Sequence, residues 1–427
     1  MASKEIQMIK KALALAFLCS GIATQPVFAE EALDPETLFN TAMQYRQDGD
    51  LFKAIEIFET ILSNQPTLNR ARLELAVSYH LTRRYEDAKK QLTLVLNDPE
   101  TPDNVKLSIT AYLAQLSGDI KVASQRSSSS IYLSAGLFTD SNINLGPGKD
   151  ITGTTPESQE SSGSGSQVML TYSHRSRATQ ALHINNSIVD FEWQTQATAF
   201  NKAHTSGDSD FNLSLLSLNT GPALIAEGSW RAAFNIKLDK LAFGNESYAT
   251  YVGINPLFTY SVTKDLEVTF ENITTTREYD RTEDEGLTGT MSMWGLDVAK
   301  FYAKQSIGLQ AGVKYHDNGA KDGTLHSTGA ELYFGGQMPA WTDANVYLTL
   351  SARDYHYKQI DTANAFTEKR DETELLAVLG VSHNFRGGSL KSWTLNAQYS
   401  FAENDSNIDI FTYDRNIFEI NMRRYFF

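Results

Sequence analysis

The side chains that most often do chemistry are sparse and scattered in this sequence. Its eight histidines are spread along the chain, and none stands in a His-x-x-x-His or His-Glu-x-x-His spacing that would set two imidazoles on one helix face for a metal. There is no Gly-x-Ser-x-Gly elbow to present a nucleophile and no glycine loop to cradle a phosphate. A serine brought beside His174 or His183 from another strand is the one hydrolase reading left, and it is minor. The single cysteine, Cys19, follows Leu18 rather than a small residue, which argues against a lipid-attachment signal. These features point away from an enzyme, and away from a metal or organic cofactor.

The one dense cluster of oxygen-bearing side chains is duplicated. Asp140-Ser141-Asn142-Ile143-Asn144 recurs as Asp405-Ser406-Asn407-Ile408-Asp409. Asp, Ser and Asn are ordinary turn formers at strand ends. Asp140, Asp405 and Asp409 would suit calcium if they converged. A further reading depends on the elements that carry the two copies.

Those elements fall into three parts. Lys4, Lys10 and Lys11, an apolar stretch from Ala12 to Ala23, and Val27-Phe28-Ala29 read as a secretory signal peptide over 1–29. Beyond it no cysteine remains for disulfides or thiolate sites. The net charge of −14 makes a nucleic-acid partner a poor fit. No later stretch reaches the roughly 18 consecutive apolar residues of a membrane-spanning helix, while 19 Tyr and 22 Phe against 10 Pro favour strands.

Over 30–126 the apolar residues recur three and four apart, as amphipathic helices require. An offset of 34 residues pairs Ala42 with Ala76, Tyr45 with Tyr79, Ala54 with Ala88, Phe58 with Leu92 and Leu62 with Leu96. That period and its alternation of small and aromatic residues resemble the tetratricopeptide pattern. The small residues let two helices approach, Gly49-Asp50 makes the turn, Pro66 closes the first repeat, and a helix from Asp103 to Ser124 caps the stack. Tyr45 and Tyr79 are core residues first, and otherwise candidates for a groove holding a peptide or partner.

Gln125 to Ser130 reads as a polar hinge, and over 127–427 the period becomes two. Trp393, Leu395, Ala397, Tyr399 and Phe401 share one face, with Ser392, Thr394, Asn396, Gln398 and Ser400 on the other; Ile307 to Tyr315 and Val346 to Leu350 repeat the pattern. This apolar-out, polar-in alternation predicts an antiparallel transmembrane β-barrel of about 14 strands. Long polar links are expected near 140–165, 193–207, 279–288, 317–323, 359–371 and 404–410. Short turns are expected at Arg175-Ser176-Arg177, Thr263-Lys264, Ala303-Lys304 and Arg386-Gly387-Gly388. Short periplasmic turns and long outer loops follow, with both termini and the helical part in the periplasm. The last alternating strand ends at Phe426 and Phe427, an imperfect form of the terminal signal that barrel assembly machinery reads, because Arg424 interrupts its apolar face. His316, His356 and Tyr357, near outer strand ends, are expected at the membrane interface.

In a closed barrel the first and last strands are neighbours, so both copies of the duplicated motif are expected at the outer end of one seam. Asp140, Ser141, Asn142 and Asn144, with Asp405, Ser406, Asn407 and Asp409, are therefore candidates for a latch that shapes it.

The run Phe138-Thr139-Asp140-Ser141-Asn142-Ile143-Asn144-Leu145 ending the first strand and Tyr413-Asp414-Arg415-Asn416 opening the last, in this two-part layout, resemble the surface lipoprotein assembly modifier family. Members of that family help lipoproteins or secreted proteins cross the outer membrane. The resemblance implies an outer-membrane accessory or translocator with an exported polypeptide or surface lipoprotein as cargo. Periplasmic chaperones, the barrel assembly machinery and outer-membrane lipid would be its partners. The helical part is short for such a member, which leaves the cargo open. An exopolysaccharide-export porin with tetratricopeptide repeats and a passive outer-membrane pore are the rival readings.

Overall fold

The computed structural model describes residues 34–124, 126–148, 159–178, 181–184, 187–205 and 208–427. The signal-peptide expectation over 1–29 lies outside the described residues. Contacts divide the chain into two compact units, one of helices and one that holds the barrel together with Arg83–Tyr85 and the chain from Ala111 onward.

In the helical unit α1 (Pro35–Gln47) and α2 (Leu51–Asn64) are followed by α3 (Asn69–Leu81) and α4 (Tyr85–Leu96), so the second pair begins at the first pair's starting residues moved by the 34-residue offset. Ala42, Ala54, Ala76 and Ala88 are all fully buried, as are Phe58 and, nearly so, Leu92. Phe39 meets Phe58 edge to face at 5.6 Å. Small side chains at the crossing let the aromatic groups fill the remaining space. Gly49 takes φ +85° between α1 and α2, the left-handed exit that glycine adopts without steric cost. Its counterpart at the 34-residue offset, Arg83, takes φ +60°. A fifth helix, α5 (Asp103–Ala123), follows.

The remaining chain forms one antiparallel sheet closed on itself. Fourteen long strands run from β1 (Ser127–Asp140) to β15 (Tyr413–Phe426), with a short strand, β3 (Leu182–Ile184), added beside β4 (Ser187–His204). Closure comes from β1 pairing with β15, from Ile131 opposite Phe426 to Asp140 opposite Ile417. Beyond β3, β2 (Gly163–Arg177) pairs with β4. A closed sheet gives every strand two neighbours, which a hydrocarbon environment demands of the backbone.

The links differ from the sequence expectation in four places. Residues 193–204 belong to β4 rather than to a loop, because Gln194, Gln196 and Thr198 are bore-facing polar residues of a strand. Arg175-Ser176-Arg177 ends β2 instead of turning. Ser127 to Ser130 open β1 rather than forming a hinge. One outer connection is minimal: Gly244-Asn245 joins β6 (Trp230–Phe243) to β7 (Glu246–Thr263), both residues at positive φ, as a two-residue hairpin turn needs. The other outer links are longer, and the turns Gly228, Lys264-Asp265 and Asp343 at the opposite end are tight.

Leu216, Ile236, Val252, Phe270, Leu296, Val313, Leu332, Leu379 and Phe418 are exposed on the outer wall. Near its periplasmic end stand Trp230, Tyr260, Tyr302 and Trp393, the amphipathic rings of an interfacial girdle. Such a wall belongs to a barrel that crosses a membrane with its strands.

Candidate functional site: the bore and the seam between first and last strands

Alternation sends one face of each strand into the bore, and the register shows which side chains meet there. Near the periplasmic end the buried Glu192 accepts from Arg177 at 2.9 Å, and Arg231 holds Glu267 through two bonds of 2.8 and 2.7 Å. Higher up, Glu331 meets His316 at 3.0 Å and Arg353 at 3.1 Å. Glu419 accepts from Gln167 at 2.7 Å and also from Gln398. The wall thus carries charges of both signs, several of them in ion pairs.

Long side chains lie flat against this wall. A Cβ added to Gly380 would meet the Tyr347 ring at 2.1 Å, and one added to Gly312 would meet Tyr333 at 2.6 Å. Each ring therefore rests on a glycine of another strand instead of standing into the bore. Tyr347 reaches across to bond Asn396 at 3.1 Å and Gln398 at 2.9 Å.

The outer end of the β1–β15 seam carries a dense set of bonds. The fully buried Asp140 carboxylate accepts from Arg415 through Nε at 3.0 Å and Nη2 at 2.6 Å, and lies 3.5 Å from Lys202 of β4. Such a planar fork is the strong form of a carboxylate pair. Asn142 donates to the Asp414 carbonyl at 3.0 Å and to that of Gly146 at 2.9 Å. Ser141 exchanges two bonds with Asn416: its N–H donates to the Asn416 carbonyl at 2.9 Å, and its hydroxyl accepts the Asn416 N–H at 2.8 Å. Asn144 donates to the Gln159 carbonyl at 2.7 Å, holding the first outer loop to itself.

The second copy of the motif does not meet the first. Asn407 accepts from the Asp371 N–H and donates to the Lys369 carbonyl, both at 2.8 Å, so it faces β13 (Asp371–Asn384). Ser406 accepts from the Ile408 N–H, Asp405 stands opposite Thr373 of β13, and Asp409 opens a short 3-10 turn. Placement of both copies on one seam is therefore corrected: β14 (Trp393–Ser406) lies one strand away, and its end bonds in the other direction. No three His, Cys, Asp or Glu side chains converge as a metal set among the described residues. The true partner of Asp140 is Arg415, 275 residues away. Its signal was a cation opening the last strand across from an acid closing the first.

Other candidates take definite places. Tyr79 is 5 % exposed and its hydroxyl bonds Glu59, whereas Tyr45 is half-buried with the Lys53 ammonium 5.2 Å from its ring. Phe426 stands opposite Ile131, and Phe427 is fully exposed beyond the ladder. Arg424 lies 5.8 Å from Trp393 and 4.8 Å from Phe426, so its charge sits at the periplasmic girdle rather than in hydrocarbon. His316 is a bore residue on Glu331 and Tyr357 stacks on Arg370 at 3.6 Å, which corrects their interfacial placement. His174 does meet a serine: Ser129 Oγ lies 2.9 Å from its Nδ1, with the Tyr172 hydroxyl 3.2 Å from the same oxygen. Outside the membrane, hydrogen bonds from Lys240 and Ser247 hold the Asp280 carboxyl below the usual range.

A family model described as "Surface lipoprotein assembly modifier" matches residues 130–426, the whole barrel. The chain belongs to this family. A protein of Pasteurella multocida (strain Pm70), itself described as "Surface lipoprotein assembly modifier", is 29 % identical over 137 residues; the match spans 31 % of this chain and 25 % of that protein's length. Solved structures similar to the chain include OccAB1 of Acinetobacter baumannii, at 9 % identity, 70 % coverage of this chain and 96 % of that one, and TM-score 0.38. A FadL homologue of Pseudomonas aeruginosa has 10 % identity, 70 % and 90 % coverage and TM-score 0.37. The loop L8 deletion mutant of OmpT of Vibrio cholerae has 14 % identity, 70 % and 100 % coverage and TM-score 0.35. As a member of the family, the chain is an outer-membrane protein.

Proposed function

We propose that the barrel passes the polypeptide of a surface lipoprotein across the outer membrane, and that the helical unit acts as a tetratricopeptide module that receives this cargo or its chaperone in the periplasm. The observation that carries this reading is the bore wall. Charges of both signs line it, several of them in ion pairs, and the Tyr347 and Tyr333 rings lie down on glycines, leaving a polar surface of mixed sign. A peptide of arbitrary sequence needs such a surface, since it presents both signs and many backbone groups. The seam closed by Asp140 and Arg415 supplies a place where the wall holds its shape while a chain passes.

An ionic polysaccharide would instead call for charge of one sign along its path, and the two clear helical repeats make a short array for such an exporter. The deciding experiment is co-expression with a lipobox-bearing reporter lipoprotein, scored at the cell surface by protease shaving with and without this chain. Surface arrival that depends on the chain supports the reading. Unchanged arrival together with a defect in surface polysaccharide would replace it.

A further inference from the structure

The outer wall is not uniformly convex. On the side formed by β10 (Ile307–Asn318), β11 (Ser327–Trp341), β12 (Ala344–Tyr357), β13 and β14, small outward residues open an apolar concavity of about 780 Å³. The ladder shows how it arises. Ala311 stands opposite Phe334, Phe334 opposite Leu350, Leu350 opposite Ala377, and Ala377 opposite Phe401. With Ala352 on the same wall, alanines alternate with large apolar side chains, Phe334 and Leu350 standing between Ala311 and Ala377, and together they line the groove. The groove spans the middle of β10 to β12 and the outer half of β13 and β14, so it runs from mid-membrane into the outer leaflet. It is continuous with the lipid-facing wall, where the surroundings are hydrocarbon. Its far rim is the strand next to β15, hence next to the seam.

A lipoprotein carries two chemistries that one route cannot serve. Its polypeptide suits the polar bore, whereas its acyl chains would lose their hydrocarbon contacts there and must stay outside. We propose that this groove holds an acyl chain of the lipoprotein while its polypeptide is in the bore, setting the lipid anchor in the outer leaflet. The inference rests on the reading of a lipoprotein cargo. An acyl chain matches both the apolar lining and the membrane depth, and a bilayer phospholipid is the rival source that the test separates from the lipoprotein.

The test uses the full chain in nanodiscs with two photoreactive probes of equal acyl length, a tripalmitoylated cysteine lipopeptide and a phosphatidylethanolamine, each carrying a diazirine on the acyl chain. The lipopeptide is expected to label the segments around Leu350 and Ala377 about tenfold more than the phospholipid does, with no such preference around Leu216 on another part of the wall. Equal labelling by the two probes would show ordinary boundary lipid and overturn the proposal. The substitutions A352W and A377F, which fill the groove from outward positions, are expected to abolish the preference and to slow surface arrival of the lipidated reporter. Lost labelling with unchanged arrival would overturn the acyl-holding role alone. Preferential labelling by a chain that brings no lipoprotein to the surface would instead remove the cargo reading and leave the groove standing.

Discussion

Asp140 shows how a single residue can matter more than the motif it sits in. Its carboxylate is buried and tied to two cations, while Asp405, at the matching position of the second copy, is exposed. Truncating one member of a buried ion pair leaves the others desolvated and unpaired, at a cost of about 3–5 kcal/mol. Water in the bore puts Asp140→Ala at the low end of that range. Asp140→Ala is therefore expected to lower the temperature at which the folded barrel converts to its unfolded gel mobility, whereas Asp405→Ala leaves it nearly unchanged. The charge-exchanged pair Asp140→Arg with Arg415→Asp is expected to recover part of the loss. Equal effects of the two alanine variants would mean that the seam pair does not stabilise the barrel. Asp280 gives a residue-scale test in acid. Its carboxyl is held below the usual range, so its bonds to Lys240 and Ser247 contribute above the ordinary carboxylate pKa and are lost as pH falls through the lower one. NMR titration of Asp280 in the intact barrel should place its midpoint below that of a free aspartate.

At the level of elements, two glycines do different work. Gly49 ends α1 in a conformation that costs an alanine roughly 1 kcal/mol, so Gly49→Ala is expected to lower the melting temperature of the helical unit and leave the barrel's heat-induced gel shift unmoved. Gly380 lies under the Tyr347 ring, and a methyl there forces the ring off the wall, an overpacking cost of about 1–3 kcal/mol. Gly380→Ala is expected to destabilise the barrel and narrow the bore, read as lower single-channel conductance whenever the pore is open. Adding Tyr347→Ala should restore both; failure to restore them would mean that the ring does not govern the bore. Much of this element scale is legible in the sequence. The 34-residue offset located both helix pairs because close crossing restricts those positions to small residues. The period-two runs located most strands because one face meets lipid. Residues 193–204 were misread as a loop for a physical reason: bore-facing Gln194, Gln196 and Thr198 are as polar as loop residues, and with small residues such as Ala197 and Ala199 opposite them the outward face gives a weak signal.

The whole molecule separates two environments with a wall one strand thick. Inside, paired charges and flattened rings make a surface suited to polypeptide; outside, an apolar wall carries a groove at the depth of lipid chains. Carrying one acyl chain through the polar bore would forfeit on the order of 0.8 kcal/mol per methylene, so the proposed route sorts the two parts of a lipoprotein to opposite faces of the same strands. A reporter whose lipid-acceptor cysteine is replaced by serine is expected to reach the surface independently of the groove but still dependent on the bore. Loss of the A352W effect with this unlipidated reporter, measured by protease shaving, is the whole-molecule check.

Sequence by itself determined the helical period, the alternation that makes a membrane barrel, and a count of about 14 strands. These follow from local periodicity, which records the environment of each face. It could not determine that Asp140 answers Arg415 rather than the second Asp-Ser-Asn run, nor that Ala311, Ala352 and Ala377 line one groove. Those facts depend on the register of each ladder accumulated around a closed sheet, and that register is fixed only when all fourteen strands have closed.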